Sequence, residues 1–460
     1  MINDRRQFLK AAVGLALLQP ARILGANDRV RIGICGLRGR GMDHIQHFGK
    51  MPGVEIAAVC DIDDAVTAKR VGDIEQMGLP KPRTYVDIRK MLDDQSIDAI
   101  SIATPNHWHS LMSIWGCQAK KDVFVEKPLS HSWWEGKQLV KAARKYDRIV
   151  QHGTQSRSSR GVREAMGHIQ SGLIGDVYLS RGLCFKWRDS IGHTAAQAVP
   201  AGVNYDLWLG PAPKRPFTRN RFHYNWHWFW DTGNGDIGNQ GIHEIDTARW
   251  GLGVKLPTKV SAMGGHFLFD DDQETPNVLN CSFEFDSPGT KRKLMEFEVR
   301  PWITNHEGEI GTAAFGRSTI PPVASTAATA SLGPVSGKPI TVGNLFYGSK
   351  GYLVIDEYTA YKTFLGDREE PGPQGRGPES HYENFIQCVR SRRQADLMAP
   401  VEEGHISCTL LHLANVSYRL GRTLNFDPAT EQVLGDEEAN RLLRNSDRGY
   451  RAPFVVPENV

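Results

Sequence analysis

The sequence predicts an α/β chain of two domains: a parallel sheet with flanking helices, then an α+β domain built on a large, mostly antiparallel sheet. Three observations carry this. Short apolar runs alternate with helical patterns from Val30 to Gln151. A glycine cluster directly follows the first of those runs, and an acid ends the second. From about residue 153 the period becomes a strict alternation, with Leu279, Cys281, Phe283 and Phe285 set against Asn280, Ser282, Glu284 and Asp286. At 40% hydrophobic and 23% charged residues, the 460-residue chain has a globular composition, and its length exceeds one core.

The first 26 residues stand apart. Residues 4–10 read Asp-Arg-Arg-Gln-Phe-Leu-Lys, Ala11–Leu18 is apolar, Pro20 interrupts, and Leu24-Gly25-Ala26 offers small residues for cleavage. So short an apolar run cannot cross about 30 Å of hydrocarbon as a helix, and no other stretch of the sequence suits a transmembrane segment. Residues 1–26 resemble a twin-arginine (Tat) export signal, which implies a periplasmic or extracytoplasmic protein moved in the folded state, its cofactor already inserted. The charge distribution agrees. Of 55 Lys+Arg and 52 Asp+Glu, four basic residues and one acid lie in this stretch, so the body carries 51 of each sign. A neutral body excludes a nucleic-acid binder as a class. Seven cysteines (35, 60, 117, 184, 281, 388, 408) are scattered singly, which fits neither a disulfide framework nor a metal set. Cys35 and Cys60 end apolar runs and are expected as buried thiols.

Residues 28–152 read as a dinucleotide-binding domain. Val30–Cys35 predicts a strand, and Gly36-Leu37-Arg38-Gly39-Arg40-Gly41 a glycine turn. Met42, Ile45 and Phe48 mark a helix face, and Val54–Cys60 a second strand running into Asp61. Strand, glycine turn, helix, strand, acid is the order of a Rossmann fold. The glycines let backbone amides approach a pyrophosphate at a helix N-terminus, whose dipole favours anions. Asp61 is placed to accept from a ribose 2′-OH and to repel a 2′-phosphate, so NAD is favoured over NADP. Read as G-x-G-x-x-G, the middle glycine is replaced by Arg38, with Gly39 as an extra one. Further strands are expected at 98–103, 123–125 and 149–151, and helices at 87–92, 106–119 and 133–146. Two loops leave strand ends, where such sheets bind ligands. One is Ala103-Thr-Pro-Asn-His-Trp-His109 and the other Glu126-Lys127-Pro128. Burial beside a nicotinamide would lower the pKa of Lys127, which suits a group exchanging a proton with an alcohol.

In the second domain, residues 153–425, strands are expected at 176–187, 259–269, 279–286, 295–300 and 351–358. Residues 301–341, rich in Ala, Ser, Thr, Gly and Pro, read as an inserted loop. Ser380-His-Tyr-Glu383 reads as a capping box. Ile406, Leu410, Leu413 and Leu420 mark a helix stopped by Gly421. Residues 426–460 read as a C-terminal tail. Between Asn204 and Gly235, aromatics including Tyr224, Trp226 and Trp228 interleave with Arg219, Arg221, His223 and His227. Such residues stack on and hydrogen-bond sugars, or pack beneath a long loop. In the run that follows, His243 and Asp246 share one helical face.

The glycine turn, the Thr-Pro-Asn-His-Trp-His loop, Glu-Lys-Pro and the His/Asp motif, in this order, resemble the Gfo/Idh/MocA oxidoreductases over most of residues 28–425. The resemblance implies an open-faced second sheet that pairs into dimers or tetramers. It implies cofactor contacts from Thr104, Asn106, His109 and Glu126, and a Lys127 that touches both nicotinamide and substrate. The family's Asp-x-Gly-x-His carries Asn239 in place of its aspartate here, so the carboxylate assisting His243 is missing unless Asp236 supplies it. The Gly-Asn-Gln-Gly-x-His form is similar to the exported branch, which includes glucose–fructose oxidoreductase and NAD-dependent α-N-acetylgalactosaminidases. Tyr224, Trp226, His227, Trp228 and Asp246 are then the expected substrate contacts. The resulting expectation is an NAD-dependent oxidoreductase acting on a sugar or polyol hydroxyl, its cofactor tightly bound and recycled. The alternatives are a glycoside hydrolase working by oxidation, elimination, hydration and reduction, and a non-catalytic ligand-binding protein.

Overall fold

The first sheet comprises β1 (Val30–Cys35), β2 (Val54–Cys60), β3 (Arg83–Tyr85), β4 (Ala99–Ile102), β5 (Asp122–Val125) and β6 (Val150–His152). All are parallel, in the order β3-β2-β1-β4-β5-β6. Helices α1 (Gly39–Gly49), α2 (Asp64–Gln76), α3 (Ile88–Leu92), α4 (Asn106–Gln118) and α5 (Trp133–Lys145) connect them. This computed structural model describes residues 29–286, 289, 291–315, 340–444 and 448–460. The export-like stretch and residues 316–339 of the expected insertion lie outside the described residues.

Strand order reverses between β1 and β4, which opens a crevice at the carboxyl ends of the strands. The glycine turn is packed to the limit there. Gly36 adopts φ +79°, and a Cβ on it would lie 2.6 Å from the Ala103 carbonyl oxygen. A Cβ on Gly41 would lie 1.9 Å from the Gly36 carbonyl oxygen. Only glycine lets α1 start this close to the turn.

The second domain opens with α6 (Arg160–Gln170), β7 (Val177–Phe185), α7 (Tyr205–Leu209), α8 (Gly235–Asn239) and α9 (Gly241–Leu252). Strands β8 (Lys259–Gly265), β9 (Val278–Phe285), β10 (Lys293–Arg300), β11 (Thr341–Gly348), β12 (Gly351–Asp356), β13 (Ala360–Leu365) and β14 (Glu370–Arg376) follow. With β15 (Leu424–Asp427) and β16 (Gln432–Val433), they form a ten-stranded sheet ordered β14-β13-β12-β11-β7-β10-β9-β8-β15-β16. Its pairings are antiparallel except for β7 with β10. The alternation read in 279–286 is realised, with Leu279, Cys281, Phe283 and Phe285 buried. Helix α9 packs along β7, while Tyr178, Met263 and Phe267 face solvent.

Segment 186–234, between β7 and α8, crosses to the first domain. Asn204 N–H donates to the Ile62 carbonyl at 2.9 Å, and Asp64 N–H to the Gly202 carbonyl at 3.0 Å. Two late helices cross as well. Helix α10 (His381–Ser391) adds Tyr382, Phe385, Ile386 and Val389 to the core that holds β1, and α11 (Val401–Leu420) packs against α5 and β8 before ending on Gly421 at φ +64°. These helices thus complete the first domain as well as the second.

Two sequence expectations fail locally. The capping box at Ser380 does not form: its side chain makes no capping bond, its backbone sits at φ −131°, ψ 39°, and the neighbouring His381 ring turns to Ser158 Oγ at 2.6 Å. Residues expected as a tail are folded, with α12 (Glu437–Leu443) and Phe454 buried edge-on against Trp108 at 5.3 Å. All seven cysteines are buried and unpaired.

Tyr382 anchors α10 by stacking on Phe124 at 5.1 Å, with Phe48 edge-on at 5.2 Å, and its buried hydroxyl has no hydrogen-bond partner among the described residues. Tyr382→Ala is expected to cost about 3–5 kcal/mol in urea unfolding, by loss of a buried ring. Tyr382→Phe is expected to be neutral or stabilising, because it removes an unsatisfied polar atom.

Candidate active site

A cavity of about 750 Å³ lies between the domains, at the carboxyl ends of the parallel strands. Its floor is the first domain: Gly36, Leu37, Arg38, Gly39 and Arg40 of the turn, then Asp61, Thr104, His109, Glu126 and Lys127. Gly41 is absent from the lining because it faces inward against the Gly36 carbonyl. The second domain supplies the opposite wall, with Lys186, Arg188, His223, Tyr224, Trp226, His227, Asn239, Gln240, His243, Tyr358 and Glu379.

The floor fits a dinucleotide. The N-terminus of the 11-residue α1 carries no side-chain cap, so its amides remain available to a phosphate. Asp61 is drawn toward the turn by the Leu37 N–H, which donates to Oδ2 at 2.7 Å, and Asp63 N–H donates to Oδ1 at 3.1 Å. Burial raises the Asp61 pKa against those two bonds. His109 lines the cavity, but its ring nitrogens lie 2.7 Å from the Pro128 carbonyl and 2.8 Å from the Thr104 carbonyl. The neutral ring donates its single N–H to one of these carbonyls and sits between the two ligand-facing loops. Asn106 also departs from expectation. It is buried off the cavity, donating to Asn234 Oδ1 at 3.2 Å, because α4 turns it toward the second domain.

Lys127 follows β5 and lines the cavity. Its Nζ donates to the Asn239 carbonyl and lies 3.4 Å from Asn239 Oδ1. Burial lowers its pKa to about 8; Glu126 opposes this, and the positive Arg40, Lys186 and Arg188 add to it. Glu126 is itself engaged, accepting from Arg40 Nε at 2.6 Å and lying 3.2 Å from His44 Nε2. Despite its burial, Arg40 and His44 hold the Glu126 carboxyl well below the ordinary range. His243 is kept neutral by burial first and by Lys127 second, and its Nδ1 has no partner among the described residues.

Three expected site residues lie elsewhere. Asp236 is off the cavity surface, since its carboxylate takes Arg188 in a bidentate pair at 2.8 and 2.9 Å. It still touches Asn239, whose Nδ2 donates to Oδ1 at 3.3 Å. Trp228 packs under the Arg188 guanidinium, 5.4 Å away, and its carbonyl receives the Glu274 and Thr275 amides. Asp246 shares a helix face with His243 but is fully enclosed. It takes Arg157 at 2.7 and 2.9 Å and Ser407 Oγ at 2.6 Å, and despite its burial Arg157 holds its pKa at about 2. Tyr224, Trp226 and His227 do reach the cavity, with the Trp226 and His227 rings stacked at 3.6 Å. Lys186, Arg188, Gln240, Tyr358 and Glu379 were not found from the sequence. Signals were available for three of them: Lys186 lies at the end of the expected strand at 176–187, Arg188 directly follows it, and Gln240 lies in the Gly-Asn-Gln-Gly-x-His run.

A parallel-sheet nucleotide crevice, closed by a second sheet domain with a half-buried lysine between them, defines a dinucleotide-dependent oxidoreductase. Comparison with known families agrees. Residues 30–154 match the description "Oxidoreductase family, NAD-binding Rossmann fold", and residues 159–265 with 347–454 match "Oxidoreductase family, C-terminal alpha/beta domain". The chain belongs to the Gfo/Idh/MocA oxidoreductase family, and its cofactor is NAD. A glycosyl hydrolase family 109 protein from Shewanella pealeana is 32% identical over 154 residues, which is 33% of this chain and 34% of that relative. The chain thus matches about a third of that relative's length. Among solved structures, an aldose-aldose oxidoreductase from Caulobacter crescentus superposes with a TM-score of 0.61 at 16% identity, over 86% of this chain and 100% of that one. A levoglucosan dehydrogenase complexed with NADH and levoglucosan gives 0.61 at 14% identity, over 86% and 99%. Both share the fold.

Among the described residues no helix is long and apolar enough to cross a membrane. Asp246→Ala is expected to destabilise the protein by about 3–5 kcal/mol in chemical denaturation, because it leaves the buried Arg157 without its main partner.

Proposed function

We propose that this enzyme oxidises a secondary hydroxyl of a sugar or polyol, with Lys127 as the base. The observation that carries this reading is the Lys127 amine, half-buried at the junction of nucleotide floor and polar wall and held on Asn239, with its pKa lowered to about 8. An amine at that value is neutral for part of the time near neutral pH and binds a proton readily, which matches the task of deprotonating an alcohol. Bound NAD⁺ supplies the acceptor for the hydride that leaves the carbinol carbon. Lys127 takes the hydroxyl proton, and the Asn239 carbonyl holds the ammonium that results. His243, kept neutral, offers a ring nitrogen to the same hydroxyl. Tyr224, Trp226 and His227 provide an aromatic flank for the apolar face of a sugar ring.

Glycoside hydrolysis through the same first step is a second reading, supported by the similarity to the family 109 protein. In that reaction the oxidised carbon acidifies its neighbour's proton, the glycosidic substituent leaves, water adds, and hydride returns. The arginine pair of Asp236 favours such a route over the paired-carboxylate one. The twin-arginine stretch supports export in the folded state, with the cofactor retained and re-used. Exposed Tyr178, Met263 and Leu294 on the second sheet support pairing of two copies through it.

The test is turnover of a panel of free sugars and aryl glycosides, with and without added NAD⁺. Lys127→Ala is expected to lower kcat by about 10²–10⁴-fold, a far larger effect than on NADH binding. Undiminished turnover in that variant would sink the role given to Lys127. Wild-type kcat/KM for oxidation should rise with pH through about 8, because only the unprotonated amine accepts the proton. Release of aryl alcohol by the NAD-loaded enzyme would select the glycosidase reading.

A further inference from the structure

Tyr358 comes from the turn between β12 and β13, far in sequence from every motif, and its ring lies 4.9 Å from that of His243. Its hydroxyl meets the side-chain amide of Gln240, with Nε2 at 2.7 Å. The direction of that bond is fixed by the other contacts of Gln240. Lys186 Nζ lies 3.1 Å from Gln240 Oε1, and an ammonium can only donate, so the carbonyl end of the amide faces Lys186. The NH₂ end therefore faces Glu244 Oε1, at 3.2 Å, and the Tyr358 oxygen. Gln240 donates and the phenol accepts. The phenolic hydrogen is left over, and Tyr358 lines the cavity. Burial lifts the phenol pKa well above 10, so that hydrogen stays in place at neutral pH.

Lys127 and Tyr358 bracket the same short segment. Lys127 Nζ is held on Asn239, Tyr358 on Gln240, and His243 follows one turn later. We propose that Tyr358 is a further catalytic residue, a hydrogen-bond donor to the substrate oxygen that Lys127 deprotonates, with Gln240 as the positioning residue that aims its hydrogen. This rests on the sugar-oxidation reading. As the O–H proton passes to Lys127 and the carbinol hydride leaves for the bound NAD⁺, the C–O bond becomes C=O. The Tyr358 O–H stays covalently intact throughout and stabilises the negative charge that develops on that oxygen. Preorganised donors of this kind act on the transition state more than on the ground state.

The test compares wild type, Tyr358→Phe, Gln240→Glu and the double variant on the same panel of sugars and aryl glycosides, with NADH binding followed by fluorescence. Tyr358→Phe removes only the hydroxyl and is expected to lower kcat by about 10²–10³-fold, with little change in KM or NADH binding. Gln240→Glu replaces a donor by an acceptor. The phenolic hydrogen then turns to the introduced carboxylate, and kcat falls comparably although the hydroxyl is still present. In the Tyr358→Phe background, Gln240→Glu should cost far less than it does in the wild type, a non-additivity that a merely structural Gln240 would not produce. Wild-type kcat in Tyr358→Phe overturns the proposal, whatever Gln240→Glu does. If the wild type oxidises nothing in the panel, the sugar-oxidation reading falls and this one with it; an active wild type with an equally active Tyr358→Phe removes this one alone.

Discussion

The wall of the cavity depends on the buried carboxylate of Asp246. It collects Arg157 from the short turn after β6 and Ser407 from α11, while Arg249, one turn further along α9, pairs with Glu403 of α11. Two segments distant in sequence are thereby fixed around one helix. Ions this deeply buried are tolerated only when fully paired, so a partial arrangement costs more than none. Because α9 begins at Gly241, directly after Asn239 and Gln240, this network decides where the acceptor for Lys127 and the ring of His243 sit.

A second ion pair sets the chemistry on the floor. Arg40 belongs to the glycine turn and Glu126 immediately precedes Lys127, so their 2.6 Å contact joins the phosphate-facing and reaction-facing ends of the crevice. The pair also adjusts the amine. An unpartnered Glu126 would hold Lys127 firmly protonated, whereas one shared with Arg40 and His44 opposes the effect of burial only in part. The Lys127 amine thus reaches its lowered pKa through the balance of its surroundings rather than through a single neighbour.

The first domain was largely legible because its signals are local. Strand, glycine turn and acid lie within 32 residues, from Val30 to Asp61, and each is fixed by its own backbone needs. Lys127, Asn239 and His243 were legible through motif order. What was hidden depends on contacts distant in sequence. Asp246 shares a helix face with His243, yet nothing in its neighbourhood announces Arg157, 89 residues earlier. Tyr358 sits in a strand turn without a motif, and only the sheet order brings it to Gln240. The failed capping box at Ser380 has the same origin: the local pattern is present, but the bond from His381 to Ser158 pulls the backbone away from it.

The crossing of α10 onto the first sheet has a consequence for the order of synthesis. Tyr382, Phe385, Ile386 and Val389 belong to the same core as Val30, Ile32 and Ile34. The nucleotide-binding domain leaves the ribosome well before α10, and its hydrophobic layer remains open until residues some 350 positions later emerge. A boundary drawn after β6 therefore separates two readings of the sequence but not two independent folding units. The first sheet waits, partly uncovered, for nearly the whole chain, an interval in which exposed apolar surface is open to misassembly.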